Sequence, residues 1–273
     1  MAVTNGWGQG AVNNTIDWGK GKTTATNDWG KIYDSSASGD TSLGTAAAFS
    51  NTKSILVDGI DEFVDCGNPT SLQITSAITI SVWFKTSSSS GQLIIGKDSV
   101  TSNRSYSLFY SGASNSIKFF IGLPGSGNPT SEVVSTTNTA DGNWHHALGV
   151  NDGTDLKIYI DGVLEATNSN GGGTMKNGSS NFNIGRRQGL ANGNHRNYFN
   201  GRIDEVAVWN SDQSANINSI YSATGPQDLS SLSPVSWWRC GDGDTSPTLT
   251  DNGSESNNGT MENFTTFSTD VPT

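Results

Sequence analysis

The stretch that decides the fold class is Ile78-Thr79-Ile80-Ser81-Val82-Trp83-Phe84. Side chains alternate along it with a period of two, and nearly every residue is β-branched or aromatic. That pattern places one set of side chains on each face of an extended strand. Working outward, similar short runs return at Ser54 to Val57, Phe63 to Cys66, Leu93 to Gly96, Tyr106 to Tyr110, Ile117 to Ile121, Trp144 to Val150, Leu156 to Ile160, Val163 to Ala166, Phe182 to Gly185 and Gly201 to Trp209. Turn chemistry separates several of them. Asp58-Gly59, Asn151-Asp152-Gly153-Thr154 and Asp161-Gly162 each supply a capping side chain and a glycine tolerant of positive φ. The only helical candidate is Ser214 to Tyr221, with Ile217, Ile220 and Tyr221 on one side. About ten short strands without intervening helices predict an all-β, antiparallel β-sandwich or jelly roll.

Composition agrees. Disordered chains pair low hydrophobicity with many charges and few aromatics. Here charged residues are only 15% and aromatics reach 9%, so polar loops on a folded β protein are expected. The net charge of −10 argues against a nucleic-acid partner, which needs clustered Lys and Arg. Arg186, Arg187, Arg196 and Arg202 form the one basic cluster, read here as solvated loop charges. No run is long and apolar enough for membrane insertion. The N-terminus lacks a charged start followed by an apolar core, so no signal peptide is expected. Cys66 and Cys240 carry no CxxC spacing and are read as two unpaired core thiols, with a disulfide as the alternative.

Two flanking regions differ from the strand series. In residues 1–44, Trp-Gly recurs at Trp7, Trp18 and Trp29, a spacing of 11 residues. Each Trp offers roughly 200 Å² of surface to cover, more than a short arm can bury within itself. The arm is expected to lie as extended chain with short β pieces against its own body or another protein. Residues 226–273 contain one clear strand, Ser236-Trp237-Trp238-Arg239-Cys240, among turn-rich loops. This extension is too short for its own core and should pack on the sandwich, on the arm or on a neighbouring chain. Trp83, Trp144 and Trp209 are expected to serve the core of the central region, residues 45–225.

Five pieces of that central region carry a family resemblance: Val57-Asp58-Gly59-Ile60-Asp61-Glu62-Phe63-Val64, Ile80-Ser81-Val82-Trp83-Phe84-Lys85, Gly142-Asn143-Trp144-His145-His146, Leu156-Lys157-Ile158-Tyr159-Ile160-Asp161-Gly162 and Phe199-Asn200-Gly201-Arg202-Ile203-Asp204-Glu205-Val206. In order and spacing they resemble the laminin-G-like, concanavalin-A-like jelly roll, including its pentraxin branch. The resemblance implies two curved antiparallel sheets whose job is binding, most often to glycans or protein surfaces, frequently with calcium at one rim. The Trp-Gly arm resembles N-terminal segments of tailed-phage structural proteins. That resemblance implies a virion component made in the host cytoplasm. Its arm, through Trp7, Trp18 and Trp29, would anchor it to other virion proteins. Its jelly roll would meet a host-surface glycan, and the protein would be a homo-oligomer. A purely structural cement protein and a free carbohydrate-binding lectin are the alternatives.

Site expectations follow. Resemblance implies a structural calcium held by Asp58, Asp61 and Asp204, because an early turn and the late Ile-Asp-Glu-Val strand can lie close together in relatives. The alternative is that these carboxylates cap turns. Asp242 and Asp244 are spaced like the start of a calcium loop, but no Glu occupies the position of its bidentate ligand. Glycosidases of this fold need two carboxylates about the scissile bond on a Glu-x-Asp-x-x-Glu strand, and no such strand is present. His145 and His146 are neighbours on one strand, so one should be buried and one exposed. No enzyme activity is expected. For glycan contact, Tyr110, Asn194, His195 and Tyr198 sit in or beside polar loops and are the expected ligand-binding residues. Core or loop-packing roles are the alternative for each.

Overall fold

The computed structural model describes residues 24–26, 32–34, 49–99, 103–125, 130–189 and 197–273. The chain divides into two units, 1–49 and 50–273. In the first, β1 (Thr24–Thr26) pairs antiparallel with β2 (Ile32–Asp34). Trp7, Trp18 and Trp29 lie outside the described residues.

The second unit is an antiparallel sandwich. In chain order its strands are β3 (Ile55–Asp58), β4 (Phe63–Asp65), β5 (Ile78–Lys85), β6 (Gln92–Lys97), β7 (Tyr106–Ser111), β8 (Ser116–Gly122), β9 (Thr130–Val134), β10 (Trp144–Asn151), β11 (Leu156–Ile160), β12 (Val163–Asn168), β13 (Asn183–Ile184), β14 (Asn200–Trp209), β15 (Ser236–Trp238), β16 (Thr248–Leu249) and β17 (Gly259–Glu262). One sheet has the order β12-β11-β10-β5-β14-β15, with β3 also pairing on β14. The other has the order β16-β17-β4-β13-β6-β7-β8-β9. The helical candidate forms a short turn of 3-10 helix at Ser214–Asn216 and a single α-turn, α1 (Ile217–Ile220).

β5 shows why its sequence is apolar on both sides. Ile78, Ile80, Val82 and Phe84 point into the core between the sheets. Thr79, Ser81 and Trp83 point the other way and are also buried. From the other sheet, β8 lies across the core from β10 and β11 and contributes Ile117, Phe119 and Ile121. Gly149 on β10 is required by this approach, because a Cβ there would lie 2.5 Å from the Phe119 ring.

The outer side of the seven-stranded sheet is sealed by the chain that follows β14. Tyr221 stacks on Trp83 at 5.4 Å between ring centroids. Ser211 O accepts from Thr79 Oγ1 (2.8 Å), and Leu232 O accepts from the Trp209 indole (3.1 Å). Ile220 and Leu229 are buried in the same layer. Here two expectations are corrected. Trp83 and Trp209 are buried as expected, in this outer layer, whereas Trp144 is only half-buried and donates its indole N–H to Asp270 (2.9 Å). His146 is fully buried beneath Tyr221, and His145 is buried too, held between Asp161 (2.8 Å) and Asp141 (3.2 Å). Neither histidine is exposed, because the covering layer removes the solvent side that a two-sided strand would otherwise have.

The C-terminal extension is part of the sandwich. β15 adds to β14, and β16 and β17 extend the other sheet from β4. Trp238 is fully buried in the core and stacks on Phe182 at 5.1 Å. Cys66 and Cys240 are both buried free thiols. The chain end is tied down as well: Asp270 pairs with Lys85 (2.9 Å) and Arg202 (3.3 Å).

Candidate functional site

Among the described residues the outer side of the eight-stranded sheet has no such apolar cover, and its side chains form the candidate site. On β8, Ile117, Phe119 and Ile121 face the core, so Lys118 and Phe120 face outward. Lys118 pairs in register with Phe109 of β7, and Phe120 pairs with Glu132 of β9. These four side chains therefore share one face. Together with Thr130, Arg104 and Arg187 they line an open pocket of about 150 Å³.

The two arginines are brought in by loops packed on one another. Asp98 follows β6 directly, and Gln188 N donates to its carbonyl (3.0 Å). Ser99 and Gln188 form a parallel bridge, so the segment carrying Arg187 lies against the one carrying Asp98. Arg104 precedes β7 and crosses the end of β8. Gly122 is needed there, because a Cβ would lie 2.1 Å from the Arg104 carbonyl oxygen. The Asp98 carboxylate is completely buried beneath the pair. Arg187 Nε lies 2.8 Å from Oδ2, and Arg104 Nε 3.4 Å from Oδ1. Burial pushes the Asp98 carboxyl up to about 6, against the pull of Arg187 and Arg104. The Arg104 guanidinium lies over the Phe120 ring at 5.6 Å, and Lys118 pairs with Glu132 at 3.1 Å.

Farther along the same sheet, Arg186 sits over the Phe63 ring at 3.5 Å, donates to Asn183 (2.8 Å) and pairs with Asp65 (3.2 Å). Arg186, Arg187 and Arg202 are thus tied to carboxylates rather than being solvated loop charges. Their alternation of sign with Asp65, Asp98 and Asp270 appears only once the strands are paired. Arg196 lies outside the described residues.

Of the residues that the sequence marked for glycan contact, the structure describes Tyr110 and Tyr198. Tyr110 is fully buried, and its hydroxyl donates to the Ser88 carbonyl (2.6 Å), so no surface of it is left for a ligand. The inward phase of β7 decides this: Tyr110 lies two residues from Leu108, which also faces the core. Tyr198 is half-buried, with its ring 6.2 Å from Phe63, on the Arg186 side of the sheet. Asn194 and His195 fall outside the described residues.

The proposed calcium ligands are also separated. Asp58 pairs in register with Asn200, whereas Asp204 lies four residues farther along β14, roughly 13 Å at strand rise. Asp58 Oδ1 caps its own turn, accepting from Ile60 N (2.8 Å) and Asp61 N (3.4 Å). Asp204 is fully buried and accepts from Asn51 Nδ2 (2.9 Å) and Glu205 N (2.9 Å). Burial and the neighbouring Glu205 hold the Asp204 carboxyl well above its usual range. Among the described residues no three His, Cys, Asp or Glu side chains converge in a metal-binding group. Asp242 and Asp244 likewise serve as caps, accepting from Thr52 N (2.9 Å) and Gly241 N (2.8 Å).

Sequence reasoning missed Arg104, Lys118 and Arg187. One signal was available: a strand whose Ile-Phe-Ile side is core must present Lys118 and Phe120 outward, and an outward Phe beside Lys is a binding-type pattern.

Residues 58–216 match the family model Laminin_G_3, described as the concanavalin A-like lectin/glucanases superfamily. More than half of the chain is matched, and the chain belongs to that superfamily. Among solved structures, a protein from Bacteroides ovatus ATCC 8483 described as a candidate carbohydrate binding protein superposes with a TM-score of 0.61 at 18% identity, covering 81% of this chain and 60% of that one. The chain thus spans about three fifths of that protein's length. The CBM40 of a Ruminococcus gnavus IT-sialidase superposes with a TM-score of 0.50 at 15% identity, covering 62% of this chain and 97% of that one. A comparison with curated proteins finds no match. At these identities the two structures establish the fold alone.

Proposed function

We propose that this protein is a non-enzymatic carbohydrate-binding component of a phage virion. Residues 1–44 would dock on other virion proteins by burying Trp7, Trp18 and Trp29, and the jelly roll would present its eight-stranded face to a host-surface glycan. The observation that carries the binding role is the aromatic and cationic pocket of Arg104, Phe109, Lys118, Phe120 and Arg187 on a sheet face that has no apolar cover among the described residues. Membership of a lectin-containing superfamily and the likeness to a candidate carbohydrate binding protein support it. Weak single-site affinity would be multiplied by many copies per particle, and homo-oligomers would serve the same end. A calcium ion shared by Asp58, Asp61 and Asp204 has no part in this reading, because buried Asp204 lies apart from the turn that carries Asp58 and Asp61.

The test is a glycan array probed with the full chain clustered on beads. Binding to at least one glycan class is expected, and silence across the array at high avidity overturns the binding role. The arm is tested separately. Replacing Trp7, Trp18 and Trp29 together by Ala should remove the protein from assembled particles; full copy number in such particles overturns the anchoring role.

A further inference from the structure

We propose that the Arg104–Lys118–Arg187 pocket recognises the carboxylate of a monoanionic acidic sugar, such as a hexuronic acid residue. The proposal rests on the glycan-binding reading and names the class of sugar.

The first argument is charge. The whole chain carries −10, yet this pocket gathers three cations. Against them stand Glu132 at the rim and the buried Asp98 beneath. Three positive and two negative groups leave one positive charge, enough to offset a carboxylate.

The second argument is preorganisation. Arg187 donates from Nη2 to Asp98 Oδ1 (3.3 Å), with its Nε in charge contact with Oδ2 (2.8 Å), and Arg104 Nε donates to the Ser99 carbonyl (3.4 Å) while lying 3.4 Å from Asp98 Oδ1. Both guanidinium planes are thereby fixed before any ligand arrives, which lowers the ordering cost of binding. Their remaining N–H groups have no partner among the described residues. A planar two-oxygen anion matches that fork geometry.

The third argument is shape and polarity. Phe120 and Phe109 supply an apolar floor beside the cations, suited to the C–H face of a sugar ring. A volume of about 150 Å³ has room for one ring rather than for a longer segment. On the same face, Ser107 lies opposite Phe120, and its buried hydroxyl has no partner among the described residues. Enclosed acid chemistry is absent from this arrangement: the carboxylate nearest the cations is the buried Asp98, already committed to them.

The experiment is calorimetric titration of the full chain with oligogalacturonate, with its methyl ester, which keeps the ring and removes the charge, and with a sulfated galactan oligomer. Binding to oligogalacturonate is expected, weakened at least about tenfold by methyl esterification. Arg104→Gln and Lys118→Met should each weaken it severalfold, and Glu132→Gln should strengthen it. Lys118 and Glu132 are at the surface, so those two variants keep the test valid if Arg104→Gln unfolds. Equal affinity for the ester, or affinity unmoved in Lys118→Met and Glu132→Gln, overturns the proposal. Equal or tighter binding of the sulfated oligomer overturns the carboxylate assignment. Binding of neutral glycans alone, insensitive to these variants, defeats the pocket while leaving the glycan-binding reading standing; absence of any glycan binding defeats both.

Discussion

The outer faces of the two sheets carry comparable hydrogen-bonding frameworks and opposite chemistry. On the seven-stranded sheet, Trp83, His146 and Trp209 are buried under Tyr221, Ile220 and Leu229. On the eight-stranded sheet, Phe109 and Lys118 are half-buried, and Thr130 and Glu132 are exposed. A sheet of this family needs only its inner face for stability, so the second face is free to vary. This chain uses one outer face to fix its own C-terminal third. On the other, the described residues leave the Arg104–Lys118–Arg187 pocket open. Mutations on the first face should therefore move stability, and those on the second should move binding.

The largest effect is expected at the covered face. Trp209→Ala deletes a side chain only 1% exposed and should cost about 3–5 kcal/mol in denaturant titration. A loss under about 1 kcal/mol breaks the claim that this layer is a second core. Trp238→Ala, in the core between the sheets, is the matched control and should cost a similar amount.

Next in size is a difference in acid sensitivity between the two faces. Asp98 ionises near 6 in the fold and near its ordinary 3.8 when unfolded. The fold therefore binds the proton more tightly, and this group adds stability as the pH falls from 6 toward 3.8. His146 does the reverse. Burial lowers it to about 4 from 6.5, so its contribution is intact above 6.5 and is lost as the pH falls toward 4. Asp98→Asn removes the first contribution and leaves the second. The variant should lose more stability than the parent between pH 6.5 and 4, by up to about 3 kcal/mol. An unchanged pH slope shows that Asp98 is not buried against the arginines.

A smaller effect is expected from Tyr221→Ala, which uncovers Trp83 and His146 and should cost about 2 kcal/mol, with a red shift of tryptophan emission. The smallest belongs to the open face. Lys118→Met should alter stability by no more than about 0.5 kcal/mol, within the usual surface range. Its effect should be seen in ligand titration instead. A large stability loss there removes the contrast between the faces.

The strand series was legible because β5, β8 and β10 alternate β-formers at period two. The short strand β9, Thr130-Ser131-Glu132-Val133-Val134, was not read as one, since as an edge strand it has a polar outer side and only Val133 among the buried hydrophobics. The C-terminal extension was legible as unable to fold alone, while its seat in both sheets was not. That placement needs the pairings of β15 with β14 and β17 with β4, which no local pattern encodes. The site was legible least of all. Asp98, Arg104, Lys118, Glu132 and Arg187 come from five separate segments, and their alternating charges match only across strand pairs.

The sequence by itself determined the all-β class, the turns and the inward phase of each long strand, because these depend on residues within a few positions of one another. It also set the acidic balance that makes a cluster of three cations unusual. The tertiary structure alone decided which outer face was sealed by the segment after β14. It also kept Asp58 and Asp204 apart. Those outcomes depend on strand register and on where a returning segment packs, and register converts distant positions into neighbours only after the sheets have formed.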